Sequence, residues 1–446
     1  MEYKTLSRNY HLRKKGNGDF ILFDKKKVVQ YTISQKLFSF LYLFKNKGFV
    51  VPDLLECFRS LNIGTEDITS FLVKEEFVDI FTSDKPFIEK QKDDNIYHRL
   101  NIISPYTEYT PERIDFLITK HCNLNCKHCF ENASPAINNA DIDIPKLFNL
   151  FVQMDELNVK TLKITGGEPF SYPNIDIILD YISNLRFDTI ILTNGMLLTE
   201  KLVSIINKGF IKLGISLDGI TAESHDFLRG NGSFSILTKK LKMLVNSGSY
   251  FCITTSVNRN NFNDIESIAK YVLEELGAKT FYVNQLKPLG RAQKNNGIFL
   301  TEKEYFNIID RVNTLKDKYG TRIEISDDAV LEEFSYSSGC KMTDETPIVC
   351  SAGNNHFSID SNLNVFPCVY GHDFPDYIMG NLSSQSILEV WKSSKWDAFR
   401  GKTKLKDIKG CSTCKNNNSC VIKNCRLKAV YEGKPFYSHV SYCNQH

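Results

Sequence analysis

Three cysteines fall within one short run, Cys122-Asn123-Leu124-Asn125-Cys126-Lys127-His128-Cys129, in a CxxxCxxC spacing. They directly follow an apolar run, Ile114-Asp115-Phe116-Leu117-Ile118-Thr119, that reads as a strand. Three soft ligands on one loop suit iron–sulfur chemistry. A [4Fe–4S] cube has four irons, so three cysteines leave one iron without a protein ligand. An open metal position marks a site that binds substrate, as opposed to a closed structural site. Zinc is the alternative, with His121 or His128 as fourth ligand. Zinc loops, however, usually bring their ligands as separated CxxC pairs.

A second motif, Thr165-Gly166-Gly167-Glu168-Pro169, follows another apolar run, Thr161-Leu162-Lys163-Ile164. Alone it would read as a turn, since glycine permits unusual backbone angles and proline ends the strand. Paired with the cysteine run, it makes the chain resemble the radical SAM superfamily. That resemblance implies a [4Fe–4S] cluster on Cys122, Cys126 and Cys129. It further implies an S-adenosylmethionine site at Gly166, Gly167, Glu168 and Pro169, with the Glu168 carboxylate facing the cofactor's ammonium group. By the same resemblance, Ser216 and Asp218 belong to the ribose and methionine-carboxylate region. Arg229 pairs either with that carboxylate or in a salt bridge near the rim. Leu289 and His128 lie near adenine. No catalytic side chain is assigned beyond the cluster that binds S-adenosylmethionine.

The elements that must position these residues recur regularly. Between residues 114 and 325, strand-like runs alternate with amphipathic stretches: after the two above come Thr189–Leu192, Lys212–Ser216, Phe251–Ser256 and Thr280–Asn284. The helix expected at Pro145–Leu157 places Leu147, Phe148, Leu150, Phe151 and Met154 on one face. Six β/α units imply a parallel sheet with right-handed crossovers. In a barrel-like sheet the chemistry gathers beyond the C-terminal strand ends, and here the polar and glycine-containing loops all fall at those ends. The fold class is therefore α/β, and the resemblance specifies a partial (β/α)6 TIM-like barrel.

Two further segments flank this barrel. Residues 1–95 carry a hairpin pattern (Asp19–Phe23 and Val28–Ile33), three helical stretches (Ser34–Lys47, Pro52–Leu61, Glu66–Glu75) and a short strand at Val78–Phe81. That order is winged-helix-like. It resembles the leader-peptide recognition element fused to many peptide-modifying radical SAM enzymes, which add an extended peptide to a sheet edge. Residues 96–113 read as a linker, polar and proline-punctuated. Residues 335–446, short and irregular by pattern, hold eight of the thirteen cysteines: Cys340, Cys350, Cys368, Cys411, Cys414, Cys420, Cys425 and Cys443. This tail is similar to the SPASM extension, although Val421–Asn424 place four residues where the family usually has three. The resemblance implies two auxiliary [4Fe–4S] clusters, one on Cys340, Cys350, Cys368 and Cys425, the other on Cys411, Cys414, Cys420 and Cys443. Cys340 is the least secure ligand. Structural zinc is the alternative for the tail. Cys57 and Cys252 fall in a helical and a strand pattern and are expected to be buried small hydrophobes.

Composition narrows the class. Hydrophobic content of 42% is that of a soluble globular protein. The longest apolar run, Leu37–Phe44, is too short to span a bilayer, and residues 1–6 have no apolar signal-peptide core. A cytoplasmic location is expected, with no membrane partner, and thirteen cysteines there point to metal and not to disulfides. Net charge is only +3, yet residues 1–50 carry eleven Lys/Arg against Glu2, Asp19 and Asp24. Such a patch is either a solvated face or a surface for an acidic partner.

Taken together, the features resemble maturases of ribosomally made peptides, with sactipeptide and ranthipeptide synthases the nearest group. The implied activity is oxidative crosslinking of a precursor peptide bound through an acidic leader. A thioether from cysteine sulfur to carbon is preferred, and a flavodoxin or ferredoxin is the implied electron donor. Carbon–carbon crosslinking is an alternative. So is sulfatase-maturase-like oxidation, though Val369 occupies the position where that family carries an aspartate after the cysteine equivalent to Cys368. A DNA-binding iron–sulfur sensor is the reading from another class. It is disfavoured because a sensor needs no S-adenosylmethionine pocket, so a nucleic-acid partner is not expected.

Overall fold

In a computed structural model the described residues are 110–138, 142–326, 343–411 and 425–438, with strand segments at 5–6, 10–14, 20–24, 29–33 and 81–82 and the isolated helical residues Phe38 and Leu41. The chain divides into two compact units. Residues 1–112, 148–161 and 184–188 make one, and the remainder makes the other.

In the first unit, β1 (Thr5–Leu6) pairs antiparallel with β5 (Phe81–Thr82). Strands β2 (Tyr10–Lys14), β3 (Phe20–Asp24) and β4 (Val29–Ile33) form a three-stranded antiparallel sheet. The expected hairpin is thus the β3–β4 part of a larger meander. Its first strand, Tyr10–Lys14, was hidden because His11, Arg13 and Lys14 dilute the apolar pattern. Leu12 stands opposite Leu22 and both are buried, which fixes the register. The helical stretches expected after Ile33 lie outside the described residues, apart from Phe38 and Leu41, which are buried.

The second unit is built on a ten-stranded sheet in the order β12-β11-β10-β9-β8-β7-β6-β14-β15-β16. Strands β6 (Arg113–Thr119), β7 (Thr161–Gly166), β8 (Asp188–Thr193), β9 (Lys212–Ser216), β10 (Phe251–Val257) and β11 (Phe281–Gln285) are the six expected. A seventh, β12 (Ile323–Ser326), pairs parallel with β11. Six consecutive residues of β6, from Ile114 to Thr119, are buried, the mark of a strand covered on both faces. On β10 the burial alternates, so Cys252, Thr254 and Ser256 share one face. Cys252 is half-buried on that face and is not the fully buried residue expected.

The tail is more regular than its sequence implied. Strand β13 (Pro347–Val349) pairs with β17 (Arg400–Lys404), while β14 (His356–Ile359) lies parallel to β6 and continues through β15 (Asn364–Phe366) to β16 (Gly380–Asn381). The barrel sheet and the tail are therefore one sheet, joined where Ser358 pairs with Asp115. Below it Phe357, Trp391 and Trp396 cluster with ring centroids 5.5–6.4 Å apart. The Arg400 guanidinium stacks 4.5 Å from the Trp391 ring centre.

Candidate functional site

The ends of β6 through β11 enclose a cavity of about 360 Å³. Its wall includes Cys122, Cys126 and Cys129, together with His128, Gly166, Gly167, Asn194, Ser216 and Arg229. Two residues of the tail, Val369 and Tyr370, line it as well.

The cysteine loop cannot form a core of its own, so its backbone is held from outside. Arg291 Nε donates to the Cys126 carbonyl (2.9 Å) and Nη2 to the Ala133 carbonyl (2.6 Å), while its backbone N–H reaches the Cys129 carbonyl (2.9 Å). Asn295 Nδ2 donates to the Lys127 carbonyl at 3.0 Å, and the Lys127 N–H donates to the Leu228 carbonyl at 2.9 Å. Gly290 is what lets this segment lie so close: its φ is +55°, and a Cβ there would meet the Phe130 carbonyl at 2.3 Å. Arg291 and Asn295 had no assigned role in the sequence. Their signal was a basic and a polar side chain just after the sixth strand, which is too common to single out.

The glycines of the second motif have a similar reason. Strand β7 ends so close to β6 that a Cβ on Gly166 would lie 2.4 Å from the Thr119 carbonyl oxygen, and one on Gly167 2.0 Å from that of His121. The Gly167 and Glu168 N–H groups donate to those same carbonyls, at 2.6 and 2.8 Å. Glu168 is fully buried and is not on the cavity wall. Its carboxylate accepts from Thr193 Oγ1 (2.7 Å), the Asn194 N–H (2.8 Å) and the Phe170 N–H (3.1 Å). Burial pushes its pKa up, against those three donors. In this arrangement Glu168 ties the β7 end to the β8 end. Asn194, so placed, extends Nδ2 to Asn123 Oδ1 (2.8 Å) and towards Cys122 Sγ (3.9 Å).

Arg229 reaches the cavity from the last turn of helix Ala222–Arg229. Thr221 and Ser224 form a capping box at the start of that helix, and Gly230, at φ +105°, ends it. Arg229 Nε donates to Asp218 Oδ2 at 2.6 Å in a pair that is almost wholly buried. Asp218 Oδ1 accepts from the Ser256 N–H at 2.8 Å. Burial alone would raise the Asp218 pKa, but Arg229 and the nearby histidines outweigh it and the net shift is down. Burial alone would lower that of Arg229, and Asp218 outweighs it, so the net shift is up. Arg229 thus makes the salt bridge through Nε and still lines the wall. Asp218 is fully buried beside Arg229. Leu289 is buried and off the wall. Ser216 and His128 are on it.

The donor set fits an iron–sulfur cube. Three thiols line one cavity, a soft donor set suited to iron–sulfur chemistry. His128 lines the same wall with a buried, unpartnered Nδ1. Its pKa falls to about 4, through burial and then Arg229, so the ring is neutral at pH 7. Burial lifts Cys122 to about 12 and raises Cys126 as well. Loading a metal would therefore release protons from both thiols.

In the tail, Cys368 precedes a turn (Val369–Gly371) that packs on helix Arg426–Tyr431, whose N-cap is Cys425. Tyr370 meets Tyr431 edge to face, with centroids 5.7 Å apart. Cys350 follows β13, its N–H bonded to the Phe399 carbonyl at 3.2 Å. Cys411 follows Lys409, which pairs with Ser438. Cys340, Cys414, Cys420, Cys443 and Cys57 lie outside the described residues.

One bridge crosses from loop to tail. His372 Nδ1 lies 2.9 Å from Glu131 Oε1 and its Nε2 2.7 Å from Ser358 Oγ, all three side chains being buried. Nothing in the sequence marked it. Among the described residues, no helix is long and apolar enough to cross a membrane.

Comparison with known proteins gives these arrangements a context. The radical SAM superfamily profile matches residues 116–272, and that of the SPASM iron-sulfur cluster-binding domain matches residues 350–415. The AdoMet-dependent heme synthase of Methanosarcina barkeri is 24% identical over 75% of this chain and 96% of its own length. The subtilosin biosynthesis protein AlbA of Bacillus subtilis is 30% identical over 64% of this chain and 60% of its own. Among solved structures, Streptococcus suis SuiB bound to its precursor peptide SuiA superposes with a TM-score of 0.75 at 19% identity, covering 99% of both chains.

Proposed function

The chain belongs to the radical SAM superfamily and carries a SPASM domain, and from that premise we propose that it is a maturase that crosslinks a ribosomally made peptide. When bound, the cluster and S-adenosylmethionine supply a radical able to take a hydrogen atom from an unactivated carbon. Cys122, Cys126 and Cys129 hold that cluster. Gly166 and Gly167, with Ser216 and Arg229, cradle the cofactor. Cys340, Cys350, Cys368 and Cys425 hold one auxiliary cluster, and Cys411, Cys414, Cys420 and Cys443 the other.

The observation that carries the reading is the shared wall. Val369 and Tyr370, next to auxiliary ligand Cys368, line the cavity that also holds the three thiols. An oxidative crosslink needs an electron acceptor within reach of the substrate, and this is where the tail would present one. For a thioether, one C–H hydrogen leaves as an atom, the thiol hydrogen leaves as a proton, one electron passes to the acceptor, and the S–C bond forms. The product is two hydrogens lighter. Val369 supplies no base for the sulfatase-maturase alternative.

The N-terminal unit supports a peptide substrate. Its strands offer edges on which an extended leader can pair, and the basic balance of residues 1–50 favours an acidic one. SuiB, whose structure contains its precursor peptide, covers this part of the chain too. The heme synthase relative favours a second reading, a tetrapyrrole substrate, since the match spans nearly all of that protein.

Mass spectrometry tests the choice. The reconstituted enzyme, S-adenosylmethionine, a reductant and the peptide of a neighbouring small open reading frame should give a product two daltons lighter with one cysteine protected from alkylation. A loss of two daltons with every cysteine still alkylating would leave carbon–carbon coupling or dehydrogenation. No change in the peptide, with turnover of a tetrapyrrole, would replace the reading. Leader binding should weaken with salt, on a screening length of about 10 Å at 0.1 M.

A further inference from the structure

Four cationic side chains line the cavity, Lys163, Arg229, Lys287 and Arg291, against one carboxylate, Asp115. Three of the four are already engaged. Arg229 pairs with Asp218, Arg291 holds two carbonyls of the cysteine loop, and Lys287 Nζ donates to Gln285 Oε1 at 3.2 Å. Lys163 is different. It projects from β7 inside the barrel, three residues before Gly166, and has no hydrogen-bond or ion-pair partner among the described residues. Its strongest charged neighbour is Asp115 on β6, which is itself committed to Arg113 at 3.1 Å. Asp115 pulls the Lys163 pKa up, but burial and Arg113 outweigh it and the net shift is down.

A second unpaired group faces the same space. Asn284, on β11, lines the cavity with a buried Oδ1 that has no partner. A buried polar group left without a partner costs about 1–3 kcal/mol, so its presence on a cavity wall indicates a ligand that supplies one. An ammonium seeks an anion or a carbonyl, and an amide oxygen seeks an N–H. With Asp115, Lys163 and Arg113 together, the net local charge favours an anion.

We propose that Lys163 and Asn284 form a substrate subsite, in which Lys163 receives a side-chain carboxylate of the bound peptide and Asn284 Oδ1 accepts an N–H from the same segment. The subsite would make the enzyme selective for an acidic residue at or beside the modified position. This rests on the peptide-maturase reading and narrows its substrate. The same ammonium could alternatively meet the carboxylate of S-adenosylmethionine, and the test separates the two sources.

The experiment uses the fully reconstituted enzyme, its Lys163→Met and Lys163→Arg variants, and synthetic peptides of the neighbouring reading frame with each core Asp or Glu changed singly to Asn or Gln. In the wild type, one acid-to-amide change should lower kcat/KM about 10- to 100-fold, the factor of one charge-assisted hydrogen bond. In Lys163→Met the same change should cost nothing further, and Lys163→Arg should restore part of the loss. Additive effects at every acidic position would overturn the proposal, as would coupling to the peptide's cysteine instead. S-adenosylmethionine affinity, measured by equilibrium binding without peptide, is the second readout. A 10- to 100-fold fall in it for Lys163→Met would assign the ammonium to the cofactor and overturn the proposal. Should the wild type leave every peptide unchanged, the maturase reading fails and the proposal with it. Wild-type modification with no coupling fails the proposal alone.

Discussion

The two cysteine-bearing regions are held in opposite ways. The rim loop from Cys122 to Cys129 is braced by polar groups that come from distant parts of the chain: Arg291, Asn295, Asn194 and the Leu228 carbonyl. The tail is braced by packing, with Phe357, Trp391 and Trp396 buried under Arg400 and Tyr370 against Tyr431. The difference follows from geometry. A loop carrying three cysteines in eight residues has no room for its own apolar core, so its carbonyls must be satisfied from outside. The tail's cysteines are dispersed, and each described one adjoins an element that already packs. The loop should therefore fail through lost hydrogen bonds and the tail through lost burial.

The sharpest test removes the loop ligands altogether. Replacing Cys122, Cys126 and Cys129 by Ala should abolish 5′-deoxyadenosine formation. Iron should fall from about twelve to about eight per chain, the tail clusters remaining. Iron analysis with electron paramagnetic resonance reads both. If the tail iron goes too, the two regions are not independent.

Next in size is the buried pair behind the rim. Asp218→Asn leaves the Arg229 charge buried without its counter-ion, which should cost about 3–5 kcal/mol in denaturant unfolding. The sign with pH follows from the shift. Asp218 is held below its ordinary value, so its contribution is complete above the unfolded carboxylate pKa, near 4. It is lost as pH falls through the lower, folded value. The variant should differ most from wild type at neutral pH and converge with it in acid. A stability gap that widened in acid would sink this assignment.

Arg291→Met is expected to be milder. It orphans the Cys126 and Ala133 carbonyls, each bond to a charged donor being worth about 1.5–3 kcal/mol. The loop cluster should be lost to a chelator faster than the tail clusters, which do not depend on this side chain. Equal loss from both regions would erase the contrast.

What the sequence disclosed follows the same division. Strand runs such as Ile114–Thr119 and Lys212–Ser216 are local and periodic, and they read correctly. CxxxCxxC and Gly166-Gly167 are also local, because the chemistry and the close approach of β6 and β7 both require those residue types. The bracing of the rim is not local. Arg291 lies 165 residues from the carbonyl it holds, and the bonds from Thr193 and Asn194 that fix the Glu168 carboxylate come from another strand end. The tail's strands were missed for a related reason. Strand β14 is four residues long, and buried on both faces, so it has no alternation to read. Its parallel partner is β6, more than two hundred positions earlier in the chain.

The smallest expected effect concerns a place where the two regions touch by hydrogen bonds. His372 stands four residues after Cys368, and Glu131 two residues after Cys129. Their contact at 2.9 Å ties the loop to the tail, and the contact of His372 with Ser358 at 2.7 Å ties both to the strand that pairs with β6. His372→Phe keeps the aromatic volume and the edge contact to Phe366 but removes both ring nitrogens, leaving the buried Glu131 carboxylate without this partner. A cost of about 1–3 kcal/mol is expected for the variant in denaturant unfolding. Glu131→Gln should cost less, because a neutral amide tolerates burial better than an uncompensated charge. In a double-mutant cycle the pair should couple, so that His372→Phe made on the Glu131→Gln background loses less than it does alone. Because the bridge spans the two regions, both clusters should report its loss: small changes in the paramagnetic spectra of the loop cluster and of the auxiliary cluster should appear together. A change confined to one of them, with no coupling in the cycle, would make His372 a packing residue of the tail alone and restore the strict separation of the two regions.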